Sequence, residues 1–243
     1  MAGRLRVDSL QIHLWAFPID PTDFAGMEVR PLLSPDEMNH ANRFRFPSLA
    51  NTFVVCRGLV RLLLGRYLER DPHSIHCEHQ IKGKPIVRNL RHLNFNASHT
   101  DGMMMCAITE SCEIGVDIER FRDISDMQEL ATRFFSYEEA RELLLLPQNQ
   151  RRSAFYRCWT GKEAYIKAVG VGLSASLHSF CVTLRPTDAP RFIHIQGSQE
   201  LVQYWQLSEV KWEGPYIAAL AYPGPRRTIQ MHGNIDPLSF LNS

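Results

Sequence analysis

The order of apolar and polar residues along the chain predicts strands and helices in both halves. Apolar and polar residues alternate over 5–17, a period of two that is typical of a half-buried strand. Other strand patterns cover 93–97, 103–108 and 114–118. The first two of these predict a hairpin, and the pattern from residue 180 onward is again strand-like.

Helical periodicity and helix-start signals predict the helices. A Ser-Pro-Asp-Glu sequence starts at Ser34, which suits an N-cap followed by proline and acids in the first turn. A long helix is predicted over 50–69. A second helix over 136–146 begins close to a capping box, and a third over 153–168 ends at Gly170.

These patterns predict an α+β fold. The charged residues over 120–126 predict a connection between two halves. The last twenty residues are rich in proline, glycine and asparagine, and we expect them to be poorly ordered.

Composition narrows the classes of function. The chain has 243 residues, of which 44% are hydrophobic and 22% charged, as in globular proteins with one large or two modest domains. With a net charge of +1, the protein as a whole has no electrostatic field that would attract nucleic acid or a membrane. A site for an anion therefore has to be formed by a local group of basic residues. Because no apolar run is long enough for a bilayer and the first residues lack the pattern of a signal peptide, we expect a cytoplasmic protein.

Two carboxylates stand on one face of the predicted strand at 115–119. Asp117 and Glu119 are two residues apart, so their side chains point the same way. Neighbouring carboxylates repel unless a cation lies between them, and Mg²⁺ is a suitable hard cation. The alternative is a solvated strand face that carries no ligand.

A second candidate lies on the predicted helix near residue 160. Glu163 and Lys167 are one turn apart on one face, and Lys162 is beside them. The rest of this segment is apolar, which suits a site for a polyphosphate. The alternative, a surface ion pair, stays open on this segment alone.

Two turns add further candidates. Ser98 and His99 lie at the tip of the predicted hairpin and suit a phosphate, although hydrogen-bonded turns often contain these residues. A Ser/His hydrolase is disfavoured, because adjacent strand residues point to opposite faces and no GxSxG is present. The turn at 82–85 places Lys84 at a loop tip, which is also common in ordinary turns.

One cluster of metal-ligand residue types is interpreted as a surface loop. His73, His76, Cys77 and His79 lie close together, but no second ligand cluster follows as a zinc site requires.

The order of the chemical segments resembles that of a known family. The segments are GKP at 83–85, FNASH at 95–99, GVDIE at 115–119 and WTGKEAYIKAVGVGLS at 159–174. In this order and spacing they are similar to the Sfp-type 4′-phosphopantetheinyl transferases, and the resemblance covers about residues 30–185.

The resemblance implies transfer of the 4′-phosphopantetheine arm of coenzyme A to a serine of an acyl or peptidyl carrier protein, with release of 3′,5′-ADP. It implies that Asp117, Glu119 and Glu163 ligate Mg²⁺, with Mn²⁺ also open. Glu163, or a water on the metal, would take the serine proton, and Lys167 would stabilise the charge on the departing nucleotide.

The resemblance also implies a set of residues that contact coenzyme A. Lys162 would hold phosphate oxygens, and Ser98 and His99 would contact the 3′-phosphate or the pyrophosphate. The full set implied is Arg43, Lys84, Ser98, His99, Asp117, Lys162 and Lys167. The chain departs from many relatives at His40 and Thr52, and both positions bear on the nucleotide end of coenzyme A.

The fold implied by the resemblance has two similar α+β halves with the active site in the cleft between them. The halves would be 1–111 and 112–243, and a chain with both halves is expected to act as a monomer. Because the carriers of this family are usually acidic, Arg120, Arg122 or Arg133 is expected to help dock them. Two alternatives stay open: a catalytically weak relative that binds coenzyme A or a carrier, and another Mg²⁺-dependent nucleotide phosphohydrolase.

Overall fold

The computed structural model of the chain contains two larger sheets, two small ribbons and two long helices. It describes residues 5–20, 28–75, 77–79, 85–87, 93–110, 112–170 and 176–241. The strands are β1 (Gln11–Pro18), β2 (Cys77–His79), β3 (Pro85–Val87), β4 (Leu93–Thr100), β5 (Met103–Glu110), β6 (Gly115–Arg120), β7 (Phe180–Val182), β8 (Phe192–Ile195), β9 (Trp205–Val210), β10 (Tyr216–Pro223) and β11 (Thr228–His232). The α-helices are α1 (Pro35–Ala41), α2 (Pro47–Leu68), α3 (Met127–Phe134), α4 (Tyr137–Leu145), α5 (Gln148–Val169), α6 (Gln199–Tyr204) and α7 (Pro237–Leu241).

The first sheet has the strand order β11-β1-β5-β4, and the second has the order β6-β10-β9. Strand β1 is antiparallel to β5 and parallel to β11. The ribbons β2-β3 and β7-β8 follow the two long helices. Each half therefore runs in the same order: a first strand, a long helix, a ribbon and a hairpin whose last strand pairs with the first.

The two sheets pack face to face between the long helices. Because side chains alternate across a strand, one face of β1 contributes Ile12 and Leu14 to a core shared with Val116 and Ile118 of β6. The other face of the first sheet packs on α2, and the other face of the second packs on α5. The result is four layers, with a helix on each outer side.

The α+β prediction is confirmed, with shifts at the helix ends. Helix α2 begins at Pro47, earlier than predicted, because a proline in the first turn does not interrupt helical hydrogen bonds. Helix α5 begins at Gln148, directly after Pro147, and ends at Val169. Gly170 follows as its C-cap, where the left-handed φ of 74° suits a glycine. The pseudo-twofold relation between the halves stays a prediction.

The prediction of a poorly ordered C-terminal segment is wrong for the part of it that the structure describes. Strand β11 pairs with β1 over Thr228–His232, and the side chain of Phe240 is buried in the core beside α2. Pairing with the edge of β1 and burial of an aromatic ring compensate for the local excess of turn-forming residues. This segment packs with the first half, whereas the predicted 112–243 half includes it in the second.

Helix α2 is long and apolar enough to cross a membrane by length and composition, contrary to the expectation from the apolar runs of the sequence. Of its most apolar stretch, 61% is buried inside the protein. Packing in the core of the first half accounts for this apolar composition.

Candidate active site

The candidate residues meet where β4 of the first sheet lies beside β6 of the second. The side-chain Oδ1 of Asn96 accepts a hydrogen bond of 2.8 Å from the backbone N–H of Val116. This contact fixes the two strands side by side and places Ser98 next to Asp117. The hairpin and the GVDIE strand, which are separate in the sequence, therefore form one wall of the site.

Gly115 brings β6 into direct contact with helix α5. A Cβ atom at this position would lie 1.9 Å from the carbonyl oxygen of Ala164 and 2.5 Å from the backbone nitrogen of Ala168. Only glycine permits this approach of strand backbone to helix backbone. The short separation allows Asp117 to reach Lys167.

Asp117, Ser98 and Lys167 form the centre of the site. The Nζ atom of Lys167 lies 2.5 Å from Oδ1 of Asp117 and donates to Oγ of Ser98 at 2.8 Å. The Ser98 hydroxyl donates to the same Asp117 oxygen at 3.0 Å. The other oxygen, Oδ2, is buried and has no hydrogen-bond partner among the described residues. A buried carboxylate oxygen without a partner is costly and indicates a place for a bound cation or polar group.

Two glutamates lie within the field of this aspartate. Burial, followed by the negative charge of Asp117, raises the pKa of Glu119 to about 7. The same two causes raise the pKa of Glu163, and Lys167 opposes the shift in both cases. Within the described residues, these three acidic groups therefore share the ammonium group of Lys167 in a partly buried region.

We tested these carboxylates as a site for a divalent cation. In the described part of the chain, no group of three His, Cys, Asp or Glu side chains is found that could hold an ion, so the ligand set Asp117, Glu119 and Glu163 stays a prediction. Their chemistry nevertheless fits such an ion. Oδ2 of Asp117 is unpaired, and burial, followed by the negative charge of Asp117, raises the pKa of both glutamates; a hard divalent cation would favour their charged forms.

A cavity of about 200 Å³ adjoins Ser98 and extends to helix α2. Its lining residues are Phe53, Cys56, Arg57, Val60, Ala97, Ser98, His99 and Met104. Partial burial and then the positive charges of Lys167 and Arg57 lower the pKa of His99. Arg57 was not assigned to the site from the sequence. Its guanidinium lies 5.3 Å from the ring centre of Phe53, one turn earlier in α2, and this spacing was the available signal.

The structure contradicts the prediction that Lys162 holds phosphate oxygens. Its side chain is only 1% exposed and forms an ion pair of 2.7 Å with Glu139. It also donates to the backbone carbonyls of Leu177 and Phe180. Lys162 therefore points into the core of the second half, because its position on α5 is rotated away from that of Glu163 and Lys167.

The remaining predicted contacts to coenzyme A stay predictions. Arg43 is exposed between α1 and α2, and its backbone N–H donates to the carbonyl of His40 at 3.0 Å. The ring of His40 lies 4.9 Å from that of Phe53, which lines the cavity. Thr52 donates to the carbonyl of Ser48 within its own helix. Lys84 lies outside the described residues, as does His76 of the cluster interpreted as a surface loop.

Comparison with known proteins identifies the family. Residues 20–111 match the family described as 4′-phosphopantetheinyl transferase, N-terminal, and residues 113–221 match the 4′-phosphopantetheinyl transferase superfamily. The chain is 35% identical over 217 residues to the 4′-phosphopantetheinyl transferase HetI of Nostoc sp., covering 88% of each chain. It is 36% identical over 152 residues to the 4′-phosphopantetheinyl transferase Sfp of Bacillus subtilis, covering 63% of this chain and 66% of Sfp.

Among solved structures, the holo-[acyl-carrier-protein] synthase of Neisseria meningitidis is similar at 20% identity with a TM-score of 0.38, over 46% of this chain and 98% of that one. This likeness is too distant to add to the sequence comparisons. Family matches over both halves, and 35% identity along most of two whole chains, are sufficient. The chain belongs to the 4′-phosphopantetheinyl transferase superfamily and is an enzyme of that class.

Proposed function

We propose that this enzyme transfers the 4′-phosphopantetheine arm of coenzyme A to a serine hydroxyl of an acyl or peptidyl carrier protein and releases 3′,5′-ADP. The observation that carries the proposal is the buried Asp117 carboxylate, which contacts Lys167 and keeps a second oxygen unpaired. The relatives HetI and Sfp are 4′-phosphopantetheinyl transferases, which supports this class of reaction.

The proposed reaction is a substitution at phosphorus. A bond forms between the serine Oγ of the carrier and the phosphorus that bears pantetheine, and the bond from that phosphorus to the bridging oxygen breaks. The bridging oxygen keeps the electron pair and leaves as part of 3′,5′-ADP, while the serine proton moves to a base. Alignment and neutralisation of charge contribute most to such transfers.

The carboxylates of Asp117, Glu119 and Glu163 would hold the metal, for which Mg²⁺ and Mn²⁺ are both suitable. When bound, the ion supplies positive charge to the pyrophosphate oxygens. Removal of the metal is therefore expected to stop transfer.

Lys167 would meet the charge that develops on the leaving group. Its Nζ is held between Asp117 and Ser98, yet 27% of the side-chain surface stays exposed. Glu163, one turn earlier on α5, or a water on the metal, accepts the serine proton. Because a cation lowers the pKa of a carboxylate that it touches, Glu163 would be a modest base when the metal is bound.

The cavity beside Ser98 suits a phosphate of coenzyme A. Arg57 and His99 give it basic and hydrogen-bonding groups, and Phe53 and Val60 give it apolar walls. A mixed lining of this kind is typical of nucleotide sites.

The carrier is proposed to dock beside the same cleft. Arg122 lies there, in an exposed ion pair of 2.6 Å with Asp101 at the hairpin tip, and Arg120 ends β6. An acidic carrier would compete for these arginines at little cost, because exposed pairs contribute little. Charge reversal at Arg120, Arg122 or Arg133 is expected to raise the KM for the carrier. Action as a monomer in the cytoplasm also stays a prediction.

Intact-mass spectrometry of an apo-carrier tests the proposal. The carrier is incubated with the enzyme, coenzyme A and Mg²⁺, alongside reactions with EDTA or with Glu163→Gln. We expect the carrier to gain the mass of one phosphopantetheine arm, and both controls to abolish the gain. A panel of acyl and peptidyl carriers that all stay unmodified, while coenzyme A binds in calorimetry, would contradict transfer and favour a binding protein. Release of nucleotide without a carrier would indicate a phosphohydrolase.

A further inference from the structure

The same buried ion pair occurs once in each half of the molecule. In the first half, Oε2 of Glu37 lies 2.7 Å from a guanidinium nitrogen of Arg61. In the second half, Oε2 of Glu139 lies 2.7 Å from Nζ of Lys162. All four side chains are at most 2% exposed. Buried charges of this kind are rare and persist only where partners satisfy them.

The surroundings of the two pairs also match. Each glutamate closes a capping box, with Ser34 at the start of α1 and with Ser136 at the start of α4. Each basic residue stands at the same position of its 22-residue helix, α2 or α5. Arg61 donates to the carbonyl of Ile75, and Lys162 to that of Leu177, so each cation also binds the chain segment after its helix. The repeated arrangement indicates a structural device of the fold and not a phosphate site.

The two helices differ in the residues that come after the buried cation. In α5 the next residue is Glu163, and Lys167 comes five residues after Lys162. In α2 the corresponding residues are Leu62 and Arg66. Successive residues are about 100° apart around a helix, so fixing the direction of Lys162 also fixes the directions of Glu163 and Lys167.

We propose that Lys162 and Glu139 are positioning residues for phosphopantetheine transfer. Their pair fixes the rotation of α5 about its axis and thereby places Glu163 and Lys167 against Asp117. The bond from Val182 N–H to Oε1 of Glu139, at 2.7 Å, ties β7 to the same point, whereas Oε1 of Glu37 has no partner among the described residues. The inference rests on the proposed function.

The repeated device provides a matched control within one chain. Lys162→Met and Glu139→Gln break the pair on the helix that carries Glu163 and Lys167, and Arg61→Met breaks the equivalent pair on α2. The measurements are kcat, KM for coenzyme A, the Kd for 3′,5′-ADP by calorimetry and the melting temperature. All three variants are expected to melt about 10 °C below the wild type.

The effects on catalysis are expected to separate the two pairs. Lys162→Met and Glu139→Gln should lower kcat by about 10²-fold, since small misplacements of catalytic groups have effects of this size. Their combination should lower it no further. Any change in the Kd for 3′,5′-ADP should be equal in the two single variants, because both displace Lys167 to the same extent. Arg61→Met should keep the wild-type kcat at a temperature where it is folded. Lys162→Arg should recover most of kcat, because the first half uses arginine at this position.

Two results would overturn the inference. Weaker binding of 3′,5′-ADP by Lys162→Met but not by Glu139→Gln would show that Lys162 contacts phosphate. An equal loss of kcat in Arg61→Met would show general loosening and no positioning. If Lys162→Met fails to fold, Glu139→Gln and Lys162→Arg decide the same question. Absence of transfer by the wild type would refute the proposed function instead, so the two failures are distinguishable.

Discussion

In each half the first strand contacts the long helix, but the side chains that make this contact differ between the halves. In the first half, Trp15 of β1 donates to the hydroxyl of Tyr67 on α2 at 2.9 Å, and Nδ1 of His13 lies 2.6 Å from that hydroxyl. In the second half, Asp117 of β6 contacts Lys167 of α5 at 2.5 Å. Similar strand-to-helix contacts are therefore aromatic in one half and ionic in the other.

The two contacts are also covered differently. In the first half, the ring of His232 on β11 stacks on Trp15 at 4.2 Å, and Phe240 lies 5.5 Å from the same ring. In the second half, the neighbouring strand β4 supplies Ser98, and Asp117 keeps an unpaired oxygen. The two halves thus share an order of elements, but the contact is a closed core in the first half and a polar cleft in the second. A few side chains determine this difference.

The largest difference between the halves is expected at Lys167. Lys167→Met should lower kcat for transfer by about 10²–10³-fold, because a group that stabilises leaving-group charge acts mainly in the transition state. Arg66→Met is the matched control, since Arg66 holds the same position in α2 and stacks on Phe240 at 3.7 Å. Arg66→Met should be less stable than the wild type and should have the same kcat. Equal kcat in Lys167→Met and the wild type would remove Lys167 from the mechanism.

Phe240 tests whether the C-terminal segment belongs to the core of the first half. Its ring is 4% exposed and packs on Trp15 and Phe17, so Phe240→Ala should lower the free energy of unfolding by about 3–5 kcal/mol. Met231→Ala, at an exposed position of β11, should change it by less than about 0.5 kcal/mol. Urea unfolding measures both. Equal small effects would mean that the segment contributes little to this core.

Gly115 tests the close approach of β6 to α5. In Gly115→Ala the new methyl group would collide with helix backbone, and a loss of about 3 kcal/mol is expected in chemical unfolding. Gly161→Ala is the control, because its Cβ would lie 3.4 Å from a flexible Leu207 methyl group and alanine favours helix. That variant should match or slightly exceed the wild type. The reverse order of stabilities would contradict the described packing.

The smallest effect concerns the pH dependence of the closed core. Burial and then the charge of His232 lower the pKa of His13, and burial lowers that of His232. The unfolded state therefore binds more protons, and this contribution to stability is present above about pH 6.5 and is lost as the pH falls below it. Glu119, with its raised pKa of about 7, acts in the opposite direction, so the comparison has to be with a variant.

The measurement is the urea midpoint at about pH 7.5 and about pH 5.5, on either side of the ordinary histidine pKa. The urea midpoint should fall less between these two pH values in the double variant, which carries His13→Gln and His232→Gln, than in the wild type. An identical fall in both proteins would show that these histidines do not contribute to the acid sensitivity.

Local signals explain which parts of the fold were predictable from sequence. The capping boxes at Ser34 and Ser136 and the left-handed end at Gly170 depend only on neighbouring residues. The common face of Asp117 and Glu119 follows from the period of a strand. These features were therefore predicted close to where the structure has them.

Features that depend on distant contacts were not predictable. Whether Lys162 faces the cleft or the core depends on the placement of Glu139 and Leu177, which the helix sequence does not contain. The pairing of β11 with β1 joins residues from the two ends of the chain. Arg57 reaches the site only because α2 packs beside β4.

The central claim is that the two halves share an order of elements but that the reaction takes place at one site, beside Asp117. Its most direct test compares Asp117→Asn with His13→Asn. Each substitution changes a helix-facing polar residue of the strand that opens its half. An apo-carrier, coenzyme A and Mg²⁺ are incubated with each variant, and the intact mass of the carrier is followed with time. The account predicts that the wild type and His13→Asn add one phosphopantetheine arm, and that Asp117→Asn adds none. Modification by Asp117→Asn at the wild-type rate would contradict it.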